Sequence, residues 1–215
     1  METTVLYEKY RPKRLSQVVG QAKAVEIIDS KRGTHGLGGQ AFWISGKSGQ
    51  GKSTIAGCIA RELADDWGII RFDAGWLTQA DLQRIKSEMH TYSFGNGKYG
   101  RAYIIEEAHG LKAAIVRAFL CFTEPVPPHV AFIFTTTNEG QTLFEDNHTD
   151  ARPLWSRCTR IKLTSQGFAK PAAKLLRGIA RREGCNGEPL SYYVRILNEN
   201  QGNLRAGIQS LPKAL

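Results

Sequence analysis

The sequence has few cysteines, and they are far apart. Cys58, Cys121, Cys158 and Cys185 form no Cys-x-x-Cys pair. That spacing excludes a disulfide framework and a cysteine-based metal site. No run of about 18 apolar residues occurs, which argues against a membrane span. The opening METTVLYEKYRPKR is basic but has no apolar run behind it, unlike a signal peptide. Internal repeats and low-complexity tracts are also missing. The expected setting is the reducing cytoplasm.

Acid is scarce in one region. Residues 151–215 hold 12 Lys/Arg and only 3 Asp/Glu, while residues 1–150 hold 17 of each, so the last segment carries all of the +9 net charge. Such a segment suits a polyanion, either nucleic acid or nucleotide phosphate. It equally suits a solvated basic face.

What is present is enough for a core. The 215 residues are 41% hydrophobic, which fits one ordinary domain and a small second one. Apolar strand patterns occur at 41–45, 69–73, 101–107, 129–137 and 158–163. Helical periodicity falls between them, at 54–63, 80–92 and 111–122, with a stop near the prolines of PVPP. A short amphipathic helix precedes them at 21–31. This alternation predicts an α/β fold, a parallel sheet with helices on both faces. The last 51 residues show helical patterns only, so the expected division is 1–164 for the α/β domain and 165–215 for a helical lid.

Two stretches carry chemistry. Gly46-Lys47-Ser48-Gly49-Gln50-Gly51-Lys52-Ser53 matches G-x-x-x-x-G-K-S between a strand and a helix. Its glycines allow backbone N–H groups to converge on phosphate at a helix N-terminus that includes Thr54. Lys52 is expected on the β- and γ-phosphates, and the Ser53 hydroxyl on Mg²⁺. The strand of RAYIIEEAHG ends in two acids, Glu106 and Glu107. A carboxylate in the first position serves a metal shell, and one in the second orients an attacking water. Glu106 is a methylene longer than aspartate, a difference that a water-rich Mg²⁺ shell can absorb.

Here the sequence resembles a known family. It is similar to the AAA+ ATPases of the sliding-clamp loaders, both the replication factor C small subunits and the bacterial tau/gamma subunits. YEKYRPKRLSQVVGQAKAV resembles the N-terminal box that touches adenine, which implies Tyr10, Arg11, Pro12, Val18 and Val19. GKSGQGKS resembles Walker A. YIIEEAHGL resembles Walker B with Glu-Glu for Asp-Glu. TEPVPPHVAFIFTTTN resembles the approach to sensor 1, which falls on Thr137 beside Asn138. WSRCTRIKL resembles the Ser-Arg-Cys box, and GNLRAGIQSL the sensor 2 box. The markers run from about residue 7 to residue 211.

The resemblance implies a P-loop AAA+ fold, ATP and Mg²⁺ as cofactors, and ATPase activity in a homo- or hetero-oligomer. It implies Arg157 as an arginine finger acting in trans, Thr137 positioning water and Arg205 sensing the γ-phosphate. Without it, Arg157 reads as a surface ion pair, Arg205 as a packing arginine and the threonines as β-formers. Implied partners are primed or double-stranded DNA and a sliding clamp. Arg84, Lys86, Lys112 and Arg117, on the helices flanking Walker B, are the candidate phosphate contacts, or solvated helix charges. The zinc-binding cysteines of the bacterial subunit have no counterpart. The loaders' collar domain is not among the residues up to Leu215, and the loop 139–155 is long and acidic. Two other readings stay open: a helicase loader or other DNA-handling AAA+ ATPase, and a nucleotide-binding structural subunit with hydrolysis impaired by Glu106.

Overall fold

The computed structural model describes residues 5–34, 36–95, 97–137, 152–185 and 187–211. Five strands are β1 (Gln40–Ser45), β2 (Ile69–Asp73), β3 (Arg101–Glu106), β4 (Val130–Thr136) and β5 (Thr159–Lys162). They form one parallel sheet in the order β2-β3-β4-β1-β5. The helices are α1 (Leu6–Lys9), α2 (Ala22–Asp29), α3 (Lys52–Leu63), α4 (Gln79–Glu88), α5 (Ala113–Phe122), α6 (Arg152–Arg157), α7 (Ala169–Arg182), α8 (Leu190–Glu199) and α9 (Leu204–Gln209). Among the described residues no helix is long and apolar enough to cross a membrane.

Successive strand side chains point to opposite faces, so the apolar strands feed two cores. Trp43, Tyr103, Phe132 and Phe134 pack with Ile85 of α4 and Phe119 of α5. Phe119 meets the Phe134 ring edge-on at 5.2 Å. Phe42, Ile44, Ile104 and Ile133 face the other way, onto Ile55 and Ile59 of α3 and Ile28 of α2. Because both faces are covered, the central strands read as near-continuous apolar runs. Burial also explains two cysteines: it pushes the thiol of Cys58 up to about 11 and that of Cys158 up to about 12. Neither is a reactive thiolate at neutral pH.

A third core lies in the C-terminal helices. Phe168, Leu176, Ile179, Tyr193, Leu197 and Ile208 form it, and Leu6 and Tyr7 of α1 and Tyr10 just after it pack against it. The helices after β5 therefore resemble a lid, and the N-terminal segment bridges lid and sheet. Gln21 is 2% exposed and is bonded twice to the backbone of Thr164, through Nε2 to the carbonyl at 3.1 Å and from the N–H to Oε1 at 3.2 Å.

Local signals account for several boundaries. Thr78 caps α4 reciprocally with Asp81, the T-x-x-D form of a capping box. That helix stops at Glu88, short of the expected residue 92. Arg101 takes the carbonyls of Thr91 and Tyr92, which draws the segment toward β3 instead. The helix after the glycine-rich loop begins at Lys52, two residues earlier than the pattern suggests, because Gly51 is its N-cap.

Candidate functional site

The strand order puts three C-terminal strand ends side by side. β1 leads into the glycine-rich loop, β4 lies next to it, and β3 ends in the acid pair. Two inter-strand steps separate loop from acids, about 10 Å, which is room for a chain of phosphates. A cavity of about 300 Å³ opens there, lined from the loop by Gly49, Gln50, Gly51, Lys52, Ser53 and Thr54 and from the strand ends by Asp73, Glu106 and Glu107. Tyr10, Arg11, Pro12, Val18 and Val19 close it from the N-terminal segment, and Arg205 from α9.

The loop is held by its own buried groups. Gln50 is 6% exposed. Its Oε1 accepts the N–H of Lys47 at 2.8 Å, and its Nε2 donates to Ser165 Oγ at 2.6 Å. Lys52 Nζ donates to the carbonyls of Gly46 at 2.9 Å and Lys47 at 3.1 Å. Lys47 itself faces solvent. Gly49 and Gly51 have φ of +76° and +97°, a region that favours glycine. At Gly49 space is also decisive. A Cβ there would stand 2.0 Å from Oδ1 of Asn203, the residue that caps α9. The lid thus touches the loop through backbone and one capping amide.

The acid side is more open. Glu106, in register with Asp73 on β2, is bonded by Arg71 Nη1 at 3.2 Å. Glu107 has φ of +51°, rare for a residue with a side chain. Its carboxylate lies 3.5 Å from His109 Nδ1. The same nitrogen is 3.1 Å from Thr136 Oγ1 at the end of β4. His109 and Thr136 thereby connect Glu107 to the neighbouring strand, and neither was among the sequence candidates.

The other candidates fall as follows. Gly46 is buried at the end of β1 and serves the loop through its carbonyl. Thr137 is partly buried just past β4 and does not line the cavity. Asn138 and residues 139–151 lie outside the described residues. Arg157 ends α6 away from the cavity, with its guanidinium donating from Nε to Glu124 at 2.7 Å, from Nη2 to the same carboxylate, and from Nη1 to the Pro153 carbonyl at 3.0 Å. Arg205 stacks 5.3 Å over the Tyr7 ring. Arg84 and Lys86 on α4, Lys112 before α5 and Arg117 on it are all exposed.

The donors suit a hard cation. The Ser53 hydroxyl and the Glu106 carboxylate open into the same cavity, and Mg²⁺ takes oxygen ligands. No group of three or more His, Cys, Asp or Glu able to hold a metal occurs among the described residues. A metal here would take its remaining ligands from phosphate and water, as Mg²⁺ usually does.

No family model matches the chain. It is 28% identical over 233 residues to the DNA polymerase III subunit gamma/tau of Mycoplasma genitalium, covering 96% of this chain and 36% of that protein. It is 25% identical to the DNA polymerase III subunit gamma of Buchnera aphidicola, covering 100% of this chain and 62% of the relative. It is 33% identical over 165 residues to the replication factor C small subunit of Haloarcula marismortui, covering 74% and 47%. The chain is an AAA+-type protein related to clamp-loader subunits. Its fold matches that of the RuvB Holliday junction branch migration motor of Thermotoga maritima, with a TM-score of 0.68 at 21% identity over 93% of this chain and 63% of that one. The chain spans between 36% and 62% of the length of the relatives named here.

Proposed function

We propose that this chain binds ATP with Mg²⁺ and hydrolyses it within an oligomer, as a clamp-loader-like DNA replication factor. One observation carries the reading: a single cavity gathers Lys52, Ser53, Glu106, Glu107 and Arg205. Lys52 and the loop N–H groups hold the β- and γ-phosphates. Ser53 and Glu106 belong to the metal shell. When bound, Mg²⁺ neutralises charge on the phosphates. Glu107 orients the attacking water, with Thr137 assisting. Tyr10, Arg11, Pro12, Val18 and Val19 take the base side. Arg205, carried by the lid, answers to the γ-phosphate, and Arg157 completes the site of a neighbouring AAA+ subunit. The division into an α/β domain, 1–164, and a lid, 165–215, is part of the proposal. Arg84, Lys86, Lys112 and Arg117 supply backbone contacts to duplex or primed DNA.

The test is ATP turnover with primed DNA, with and without a ring-shaped clamp. The expected result is Mg²⁺-dependent turnover that DNA and clamp together raise. Nucleotide binding with no turnover under any of these conditions overturns the enzymatic reading and leaves a structural subunit. The fold match to RuvB supports a second reading, another DNA-handling motor. Turnover that responds to branched DNA but not to clamp and primed DNA selects it.

A further inference from the structure

Glu106 has a neighbour that a metal ligand does not need. Arg71, on β2, donates to its Oε1 at 3.2 Å. Residues 69, 71 and 73 share one face of the strand, and Ile69 on that face packs with the core under α3. Arg71 thus lies on the α3 side of the sheet, below Asp73, whose own side chain reaches the cavity. Gly57 on α3 makes room for it. A Cβ at that position would stand 3.1 Å from Arg71 Nη2 and 3.1 Å from Arg61 Nη1. Arg61 therefore lies close to Arg71, and Glu106 is the carboxylate that receives Arg71.

From this geometry we infer that Arg71 is a positioning residue that competes with divalent metal for the Glu106 carboxylate. The inference rests on the nucleotide-binding reading above. A fixed positive charge 3.2 Å from Oε1 repels Mg²⁺, and it also supplies part of the neutralisation that Mg²⁺ otherwise provides. A glutamate arm fits this arrangement, since it spans from the strand end to a guanidinium one pleat back. Loading the metal then requires Glu106 to leave Arg71 or to share one oxygen with each partner. Metal-free nucleotide is tolerated better than it would be without the arginine.

The test uses binding, not turnover. The affinity of the full chain for a non-hydrolysable imido analogue of ATP is measured by calorimetry in saturating Mg²⁺ and in EDTA. The ratio of the two affinities should rise in Arg71→Gln by roughly two- to fivefold, the range a half-exposed ion pair supplies. Arg71→Lys should keep the wild-type ratio, and the Arg71→Gln effect should shrink in a Glu106→Gln background, as a coupled pair requires. A thermal melt confirms that each variant is folded. An unchanged ratio in Arg71→Gln overturns the inference, and so does a lower one, which would make Arg71 a support for the metal shell. Failure of the wild type to bind the analogue in either condition overturns the nucleotide reading itself.

Discussion

The two walls of the cavity are built in opposite ways. On the β1 side, the loop is fixed by buried groups: Gln50 and Lys52 are 6% and 8% exposed and both bond to the loop backbone. On the β3 side, Glu106 and Arg71 are each more than a third open to water. Glu107 is exposed, in a backbone conformation that side chains rarely adopt. A loop anchored by buried, bonded side chains is suited to hold one shape and so to bind. An exposed carboxylate with a charged neighbour is suited to be moved. Under the proposed function, ground-state binding falls to the first wall and control of turnover to the second.

The first test breaks the first wall. Lys52→Ala should weaken ATP binding by at least about tenfold, since hydrogen bonds from charged donors are worth roughly 1.5–3 kcal/mol. It also strips the carbonyls of Gly46 and Lys47 of a donor. Calorimetry on wild type and variant checks this, and equal affinities would remove Lys52 from the site.

Breaking the second wall should look different. Glu107→Gln keeps the size and loses the charge. Turnover should fall about a hundredfold, the lower range for a positioned acid–base group, while ATP affinity stays within a few-fold of wild type. Such a split follows if the carboxylate acts mainly in the transition state. Parallel loss of affinity and turnover would place Glu107 in ground-state binding and erase the contrast.

The trans assignment is tested by mixing. Arg157→Ala and Lys52→Ala proteins, each inactive alone, should regain part of the wild-type turnover when combined in an exchanging oligomer. One mixed interface then keeps an intact loop and an intact finger. If assembly is demonstrated and the mixture stays as inactive as its parts, Arg157 does not act across subunits, and its bond to Glu124 is then a structural one.

The first wall was legible in the sequence and the second only in outline. Glycine spacing, the Lys-Ser pair and the strand–helix context are local, and so is the loop they specify. The sheet was legible for a related reason: strands buried on both faces leave continuous apolar runs such as AFWIS and HVAFIF. What escaped was set by register. Arg71 meets Glu106 because β2 and β3 pair Asp73 with Glu106, and His109 meets Thr136 because β3 lies beside β4. Such contacts join residues 27 to 35 positions apart, and single-strand patterns do not encode them. Asn203 against Gly49 is the same kind of contact, made by the lid.

Glu106→Asp sharpens the comparison with a smaller change. Aspartate keeps the charge and loses the reach to Arg71. Turnover should change by less than about fivefold in either direction, because the half-exposed pair it breaks is worth at most about 1 kcal/mol and water can fill a Mg²⁺ shell. A large gain, measured with saturating Mg²⁺ and DNA, would show that glutamate disables the site and would promote the structural-subunit reading.

The smallest expected effect concerns how the lid side is fastened to the base side. Glu183, just after α7, receives Lys9 Nζ at 2.7 Å and the Tyr10 hydroxyl at 2.5 Å. These bonds hold its carboxyl below the usual range. A group depressed in the folded state contributes stability above its unfolded value, about 4.3 for glutamate, and loses it as pH falls through the folded one. Tyr10 is raised, chiefly by the same hydrogen bond, so its share is present below about 10 and is lost as pH rises further. The fastening therefore works across neutral pH and fails at both extremes. Glu183→Gln should lower the melting temperature slightly at pH 7, and the gap between variant and wild type should close toward pH 3. A gap that persists unchanged at pH 3 would mean that packing of Tyr7 and Tyr10 on the lid core, rather than this carboxylate, ties the N-terminal segment to the helices.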